Sequence, residues 1–175
     1  MISDLLRRTL EAMAPNRSNA SWLAGSVVLA RLIDRLPNDI DIHHTHREAF
    51  ERAMEKDTAR LAEMGFSPTS RQDLEAEETV SFTHPEGNLT VNWVLEPEAP
   101  AVLVSDPLFG TRASLAVVID RKIEMFEEDQ DPKHEQDLVA LLRHPGALLP
   151  EIDPAGLRAE LRRLGILPEV LSVSH

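Results

Sequence analysis

Apolar residues Leu5, Leu6, Leu10 and Met13 recur at the three- and four-residue spacing of one helix face, and Pro15-Asn16 stops the pattern, so residues 2–13 are predicted helical. Residues 20–24 are short, apolar and include Trp22, the pattern of a buried strand. Gly25-Ser26 reads as a tight turn, residues 27–34 as a helix ended ahead of Pro37, and residues 39–43 as a strand in which acid and isoleucine alternate. Residues 47–64 form a long amphipathic pattern closed by Gly65. Residues 66–71, 79–83 and 89–95 read as strands, the last two joined by a hairpin loop at Pro85-Glu86-Gly87-Asn88. The proline-rich stretch 97–107 is expected to be irregular. Helical periodicity returns over 114–128, 133–143 and 154–164, the last with Asp153 as N-cap and Pro154 at its first position.

The expected fold class is therefore α/β (α+β): a small mixed sheet with flanking helices, then a helical C-terminal part. Residues 1–110 are the expected core and 111–175 the helical part packed on it as one compact unit. At 42% hydrophobic residues the 175-residue chain can bury a real core. There are no cysteines, which excludes disulfides, zinc thiolates and thiol catalysis. Residues 1–10 lack the apolar block of a signal peptide and no run is long enough to span a bilayer, so a cytoplasmic protein without a membrane partner is expected. The formal charge of −12 disfavours non-specific nucleic-acid binding, and an RNA partner would require a local basic patch.

Chemistry concentrates in residues 22–44. Gly25 allows close backbone approach to a ligand, the following helix start favours phosphate, and Ser26 adds a hydroxyl. Asp39 and Asp41, two apart on a strand, project from one face, while Ile40 and Ile42 project from the other. Two carboxylates beside a phosphate cradle suit Mg²⁺, which takes a few protein oxygens plus phosphate oxygens. The plainer reading is an Asp-x-Asp on an exposed edge strand. Arg31 and Arg35, four apart, either share a solvated helix face or lean toward phosphate. His43, His44 and His46 suggest a transition-metal site, but one strand sends His43 and His44 to opposite faces. Trp22 and Trp93 are expected in the core. Arg158, Arg162 and Arg163 could meet RNA phosphate or pair with neighbouring acids.

Ala24-Gly25-Ser26 followed by Asp39-Ile40-Asp41-Ile42 resembles the signature of the polymerase-β-like nucleotidyltransferase superfamily. Arg35, four residues before the first acid, is similar to the pattern of bacterial nucleotidyltransferases related to AbiEii toxins, although Pro37 stands where those usually carry Ser or Thr. Residues 113–126 resemble that family's SLEDLIALKL helix, and residues 133–142 its RDLxDLxxL helix. The resemblance covers roughly residues 20–44 and 105–142. It implies Mg²⁺ on Asp39 and Asp41, a nucleoside triphosphate held by Gly25, Ser26, Arg35 and Lys122, and Asp137 near the catalytic centre, with the nucleotide between core and helical part. It also implies transfer of a nucleoside monophosphate to a hydroxyl of an RNA, a protein or a small molecule, and a toxin role opposed by an antitoxin. The chain departs from the superfamily at the third carboxylate, where Asn92 stands. Asparagine cannot act as a base and binds metal more weakly, so Asp137 or Glu96 would have to compensate. A nucleotide-binding or interaction protein that has lost turnover is the alternative.

Overall fold

The computed structural model describes residues 2–168, which divide into two compact units. The first runs to Arg31 and resumes from Leu36 to Ser114. The second takes Leu32–Arg35 together with the chain from Leu115 onward.

The first unit opens with α1 (Asp4–Met13), whose N-cap Ser3 accepts a hydrogen bond from the Leu6 N–H at 3.1 Å. Its buried stripe is Leu6, Thr9, Leu10 and Met13. There follow β1 (Ser21–Ala24), a single helical turn α2 (Gly25–Val28), β2 (Asp39–His44) and α3 (Arg47–Glu63). The rest of this unit is β: β3 (Ser67–Leu74), β4 (Glu77–His84), β5 (Gly87–Leu95), β6 (Leu103–Asp106) and β7 (Gly110–Ala113).

All seven strands form one mixed sheet in the order β3-β4-β5-β2-β1-β7-β6. β3, β4 and β5 make an antiparallel meander in which His84 pairs with Gly87, so the hairpin turns on Pro85-Glu86. β2 runs parallel to β5 and antiparallel to β1, and β1 runs parallel to β7. The fold class is thus the mixed α/β arrangement expected.

Register sets the two faces. Leu23, Ile42 and Trp93 lie in one row and Ile40, Val91 and Val80 in the next, all buried. α3 contributes Phe50, Ala53 and Leu61 to the buried set. Its Asp57, only 1% exposed, accepts from Trp93 Nε1 at 2.9 Å and from Asn16 Nδ2 at 2.8 Å. A buried carboxylate fully engaged in this way fixes where α3 meets β5. Trp22 and Trp93 are 1% and 0% exposed, in the core as expected.

Two local differences from the sequence reading have physical causes. The helix expected over 27–34 stops after one turn, because Leu29 and Ala30 bond back three residues, to Ser26 and Val27, instead of four. Arg31 and Arg35 therefore do not share a helix face. The stretch expected to be irregular contains β6, which pairs with β7 after the turn at Asp106, whose carboxylate accepts from the N–H groups of Leu108 and Phe109.

The second unit is helical: α4 (Leu115–Asp129), α5 (Pro132–Leu141), the short α6 (Pro145–Leu148) and α7 (Pro154–Arg163). Leu115, Val118, Ile119, Lys122 and Phe126 form the buried stripe of α4. Asp153 caps α7 by accepting from Ala155 N and Gly156 N, both at 3.0 Å, as the sequence indicates. Arg163 is engaged by Glu160 and Glu127, so of the two readings of the basic C-terminal helix the structure favours acid pairing for this residue. Among the described residues no helix is long and apolar enough to cross a membrane.

Candidate functional site

Asp39, Asp41 and His43 occupy alternate, half-buried positions of β2, on the face opposite Ile40, Ile42 and His44. Across β5, Asp41 stands opposite Asn92 and Asp39 opposite Thr90; across β1, Asp41 stands opposite Ala24. β1 ends there and the chain turns into Gly25 with φ +66°, a left-handed conformation that favours glycine. The turn lies directly on the Asp41 carboxylate. A Cβ built at Gly25 would overlap Asp41 Oδ2 and stand 2.8 Å from its Cγ. Gly25 is thus required by contact as well as by backbone conformation. Ser26 follows at the second position of α2. A four-residue helix has little macrodipole, so any attraction for phosphate here rests on the N–H groups and hydroxyl of the turn.

Asn92, on β5, is directly engaged with Asp41. Asn92 Nδ2 donates to Asp41 Oδ1 at 2.5 Å. Burial pushes the Asp41 carboxyl above its ordinary range; the Asn92 hydrogen bond and His43 oppose this, while Asp39 and Glu77 reinforce it. Two carboxylates on one half-buried face form a place where a cation is favourable. The same face carries a pair that no local pattern announces: His43 Nδ1 lies 2.7 Å from Glu96 Oε2, and Trp22 stacks on the His43 ring at 5.4 Å between centroids. The three histidines do not converge. His44 is fully buried on the core face against Phe50, and His46 is exposed at the start of α3.

The remaining sequence candidates meet within the second unit. Asp137, 2% exposed on α5, receives a two-pronged contact from Arg35, with Nε–Oδ1 at 2.9 Å and Nη2–Oδ2 at 2.8 Å. Lys122 Nζ on α4 donates to the same Oδ2 at 2.8 Å. Burial lowers the Lys122 ammonium pKa against the restoring pull of Asp137, and Arg35 and Lys133 lower it further. A groove of about 450 Å³ opens beside this network, lined by Asp34, Arg35, Glu135, Asp137 and Arg143 among others. Residues 35 and 137 are far apart in the chain, so no spacing rule could have joined them.

Sequence reading also missed a cluster at the junction of α4 and α5. Asp129, Asp131 and His134 offer ligand atoms all within 4.8 Å of one another and could hold a metal ion. Asp129 is exposed, Asp131 half-buried and His134 buried. The available signal was the run Asp-Gln-Asp-Pro-Lys-His itself. Among the described residues Asp39 and Asp41 belong to no such three-ligand group.

No protein-family model matches this chain, and no curated protein matches it significantly.

Proposed function

We propose that the polar face of β2 is the metal and nucleotide site of a nucleotidyltransferase, which moves a nucleoside monophosphate from a nucleoside triphosphate to an acceptor hydroxyl. One observation carries this reading: the Gly25 turn packs on the carboxylate of Asp41, which brings the glycine turn and an acid suited to a cation into one contact. The donor set fits Mg²⁺, since Asp39 and Asp41 supply two carboxylates on one half-buried face. Bound there, Mg²⁺ would neutralise charge on the triphosphate and on the departing pyrophosphate.

The protein's own groups supply orientation. The N–H groups of the Gly25-Ser26 turn and the Ser26 hydroxyl donate to the phosphates. The acceptor oxygen attacks the α-phosphorus, the bond to the bridging oxygen breaks, and pyrophosphate leaves with that electron pair. In this reading Arg35 and Lys122 are the additional cations for phosphate, and Asp137 positions or deprotonates the acceptor, as the family resemblance implies. Arg35, Lys122 and Asp137 meet one another within the second unit. The acceptor is a hydroxyl of an RNA, a protein or a small molecule, and the resemblance extends to a toxin held in check by an antitoxin.

Calorimetric titration of the four ribonucleoside triphosphates with Mg²⁺ tests the site. Wild-type protein is expected to bind at least one of them in a Mg²⁺-dependent way, and folded Asp39→Asn and Asp41→Asn proteins to lose that binding. Equal binding by wild type and both variants would overturn the reading. A second reading, nucleotide binding without turnover, is favoured specifically by Asn92, whose amide occupies Asp41 Oδ1 where a third acid would stand. Mg²⁺-dependent binding by a wild type that transfers no label to any acceptor would select it.

A further inference from the structure

We infer that Asp129, Asp131 and His134 form a second cation site, separate from β2 and built for a divalent transition metal. Neither ring nitrogen of His134 has a hydrogen-bond partner among the described residues, although the side chain is only 2% exposed. A buried imidazole left without any partner is costly, and native proteins rarely leave one so. Its Nε2 is aimed at Asp129, 3.7 Å from Oδ2. That distance is too long for a hydrogen bond. It is close to the separation of two ligands on one ion: with metal–ligand bonds of about 2.0–2.2 Å, tetrahedral neighbours stand roughly 3.3–3.6 Å apart.

The carboxylates are held in place by the chain between them. Gln130 takes a left-handed conformation, φ +55°, and its amide turns back to Phe126 O at 2.8 Å, away from the acids. The Asp131 N–H donates to Asp129 Oδ1 at 2.8 Å, which leaves Oδ2 facing His134. Asp131 caps α5 through Oδ1, accepting from Lys133 N at 2.9 Å. Its Oδ2 meets the exposed Lys133 ammonium at 3.1 Å, a contact that an arriving cation displaces by swinging a flexible side chain into water. Asp129 thus keeps Oδ2 for a ligand bond, and Asp131 Oδ2 becomes available once Lys133 swings away.

The donor set defines the ion. One imidazole and two carboxylates suit Zn²⁺ and its transition-metal neighbours, whereas Mg²⁺ prefers oxygen and its own water. Three ligands leave a fourth position for water, as the exposure of Asp129 permits. Bound metal would tie the end of α4 to the first turn of α5.

The test is calorimetric titration of the full chain with Zn²⁺ in the presence of excess Mg²⁺, with backbone spectra confirming that each variant is folded. One equivalent of Zn²⁺ is expected to bind wild type and Asp41→Asn alike. Asp129→Asn, an exposed change that keeps the acceptor for the Asp131 N–H, is expected to weaken it by about tenfold or more. His134→Gln should weaken it at least as far, and the His134 ring nitrogen resonances should shift as Zn²⁺ is added to wild type. Absence of Zn²⁺ binding, unchanged affinity in Asp129→Asn, or loss of binding in Asp41→Asn would each overturn the assignment.

Discussion

One hydrogen atom at position 25 lets Asp41 keep its place. Any side chain there would meet the Asp41 carboxylate and would also hold a left-handed backbone, which costs a non-glycine residue about 1–2 kcal/mol. Gly25→Ala is therefore expected to lower the melting temperature by several degrees, and to reduce Mg²⁺-dependent nucleotide binding by about tenfold or more, because Asp41 must move to admit the methyl group. Thermal melts and titrations of the same preparation check both. A variant that melts lower yet binds as wild type would separate the fold role of Gly25 from a ligand role. Asn92 acts at the same scale. Its amide holds Asp41 Oδ1, so the acid that Gly25 touches is fixed from two sides, by backbone at one oxygen and by amide at the other.

Among elements, α4, α5 and the segment bearing Arg35 are joined through one carboxylate. Asp137 and Lys122 are both nearly inaccessible to water, so removing the acid takes the Asp137 charge away from a buried ammonium. Asp137→Ala is expected to cost about 3–5 kcal/mol, read as a fall in the denaturant midpoint. A loss well under 1 kcal/mol would mean that Lys122 reaches water when released. These elements also show what the sequence could tell. The strand bearing Asp39 and Asp41, the β4–β5 hairpin and the three long C-terminal helices are readable because burial imposes a period on each. The brevity of α2 is not, since Val27 to Ile33 carries apolar residues that suit a helix and the choice of three-residue bonds is made by tertiary surroundings. β6 was hidden by neighbouring prolines. The Gly25–Asp41 contact was foreshadowed by residue type and spacing, whereas the Arg35–Lys122–Asp137 network and the His43–Glu96 pair depend on partners that no periodicity connects.

For the molecule as a whole, acid should unmask His44. Burial first, then His43 and Arg17, drive its pKa from 6.5 down to about 4. The unfolded chain takes up this proton near pH 6.5 and the folded chain only near 4, so its contribution is intact above pH 6.5 and declines as pH falls through that window. The full loss is on the order of 3 kcal/mol. Burial raises the Asp41 and Asp57 carboxyls, which acts in the opposite sense as acid is added. Comparison with His44→Leu isolates the imidazole: the variant is expected to lose less stability than wild type between pH 7 and 4.5 in denaturant titrations. Parallel curves would show that His44 finds a proton acceptor on folding. The sheet order bears on how the molecule is made. β1, α2 and β2 are adjacent in the chain, so a nascent polypeptide emerging from the ribosome carries Gly25, Asp39 and Asp41 before the meander is synthesised. β5 and β7, which flank that pair of strands, arrive later. During that interval the acidic pair lacks its asparagine neighbour, and the amide reaches it only once β5 has emerged and paired with β2.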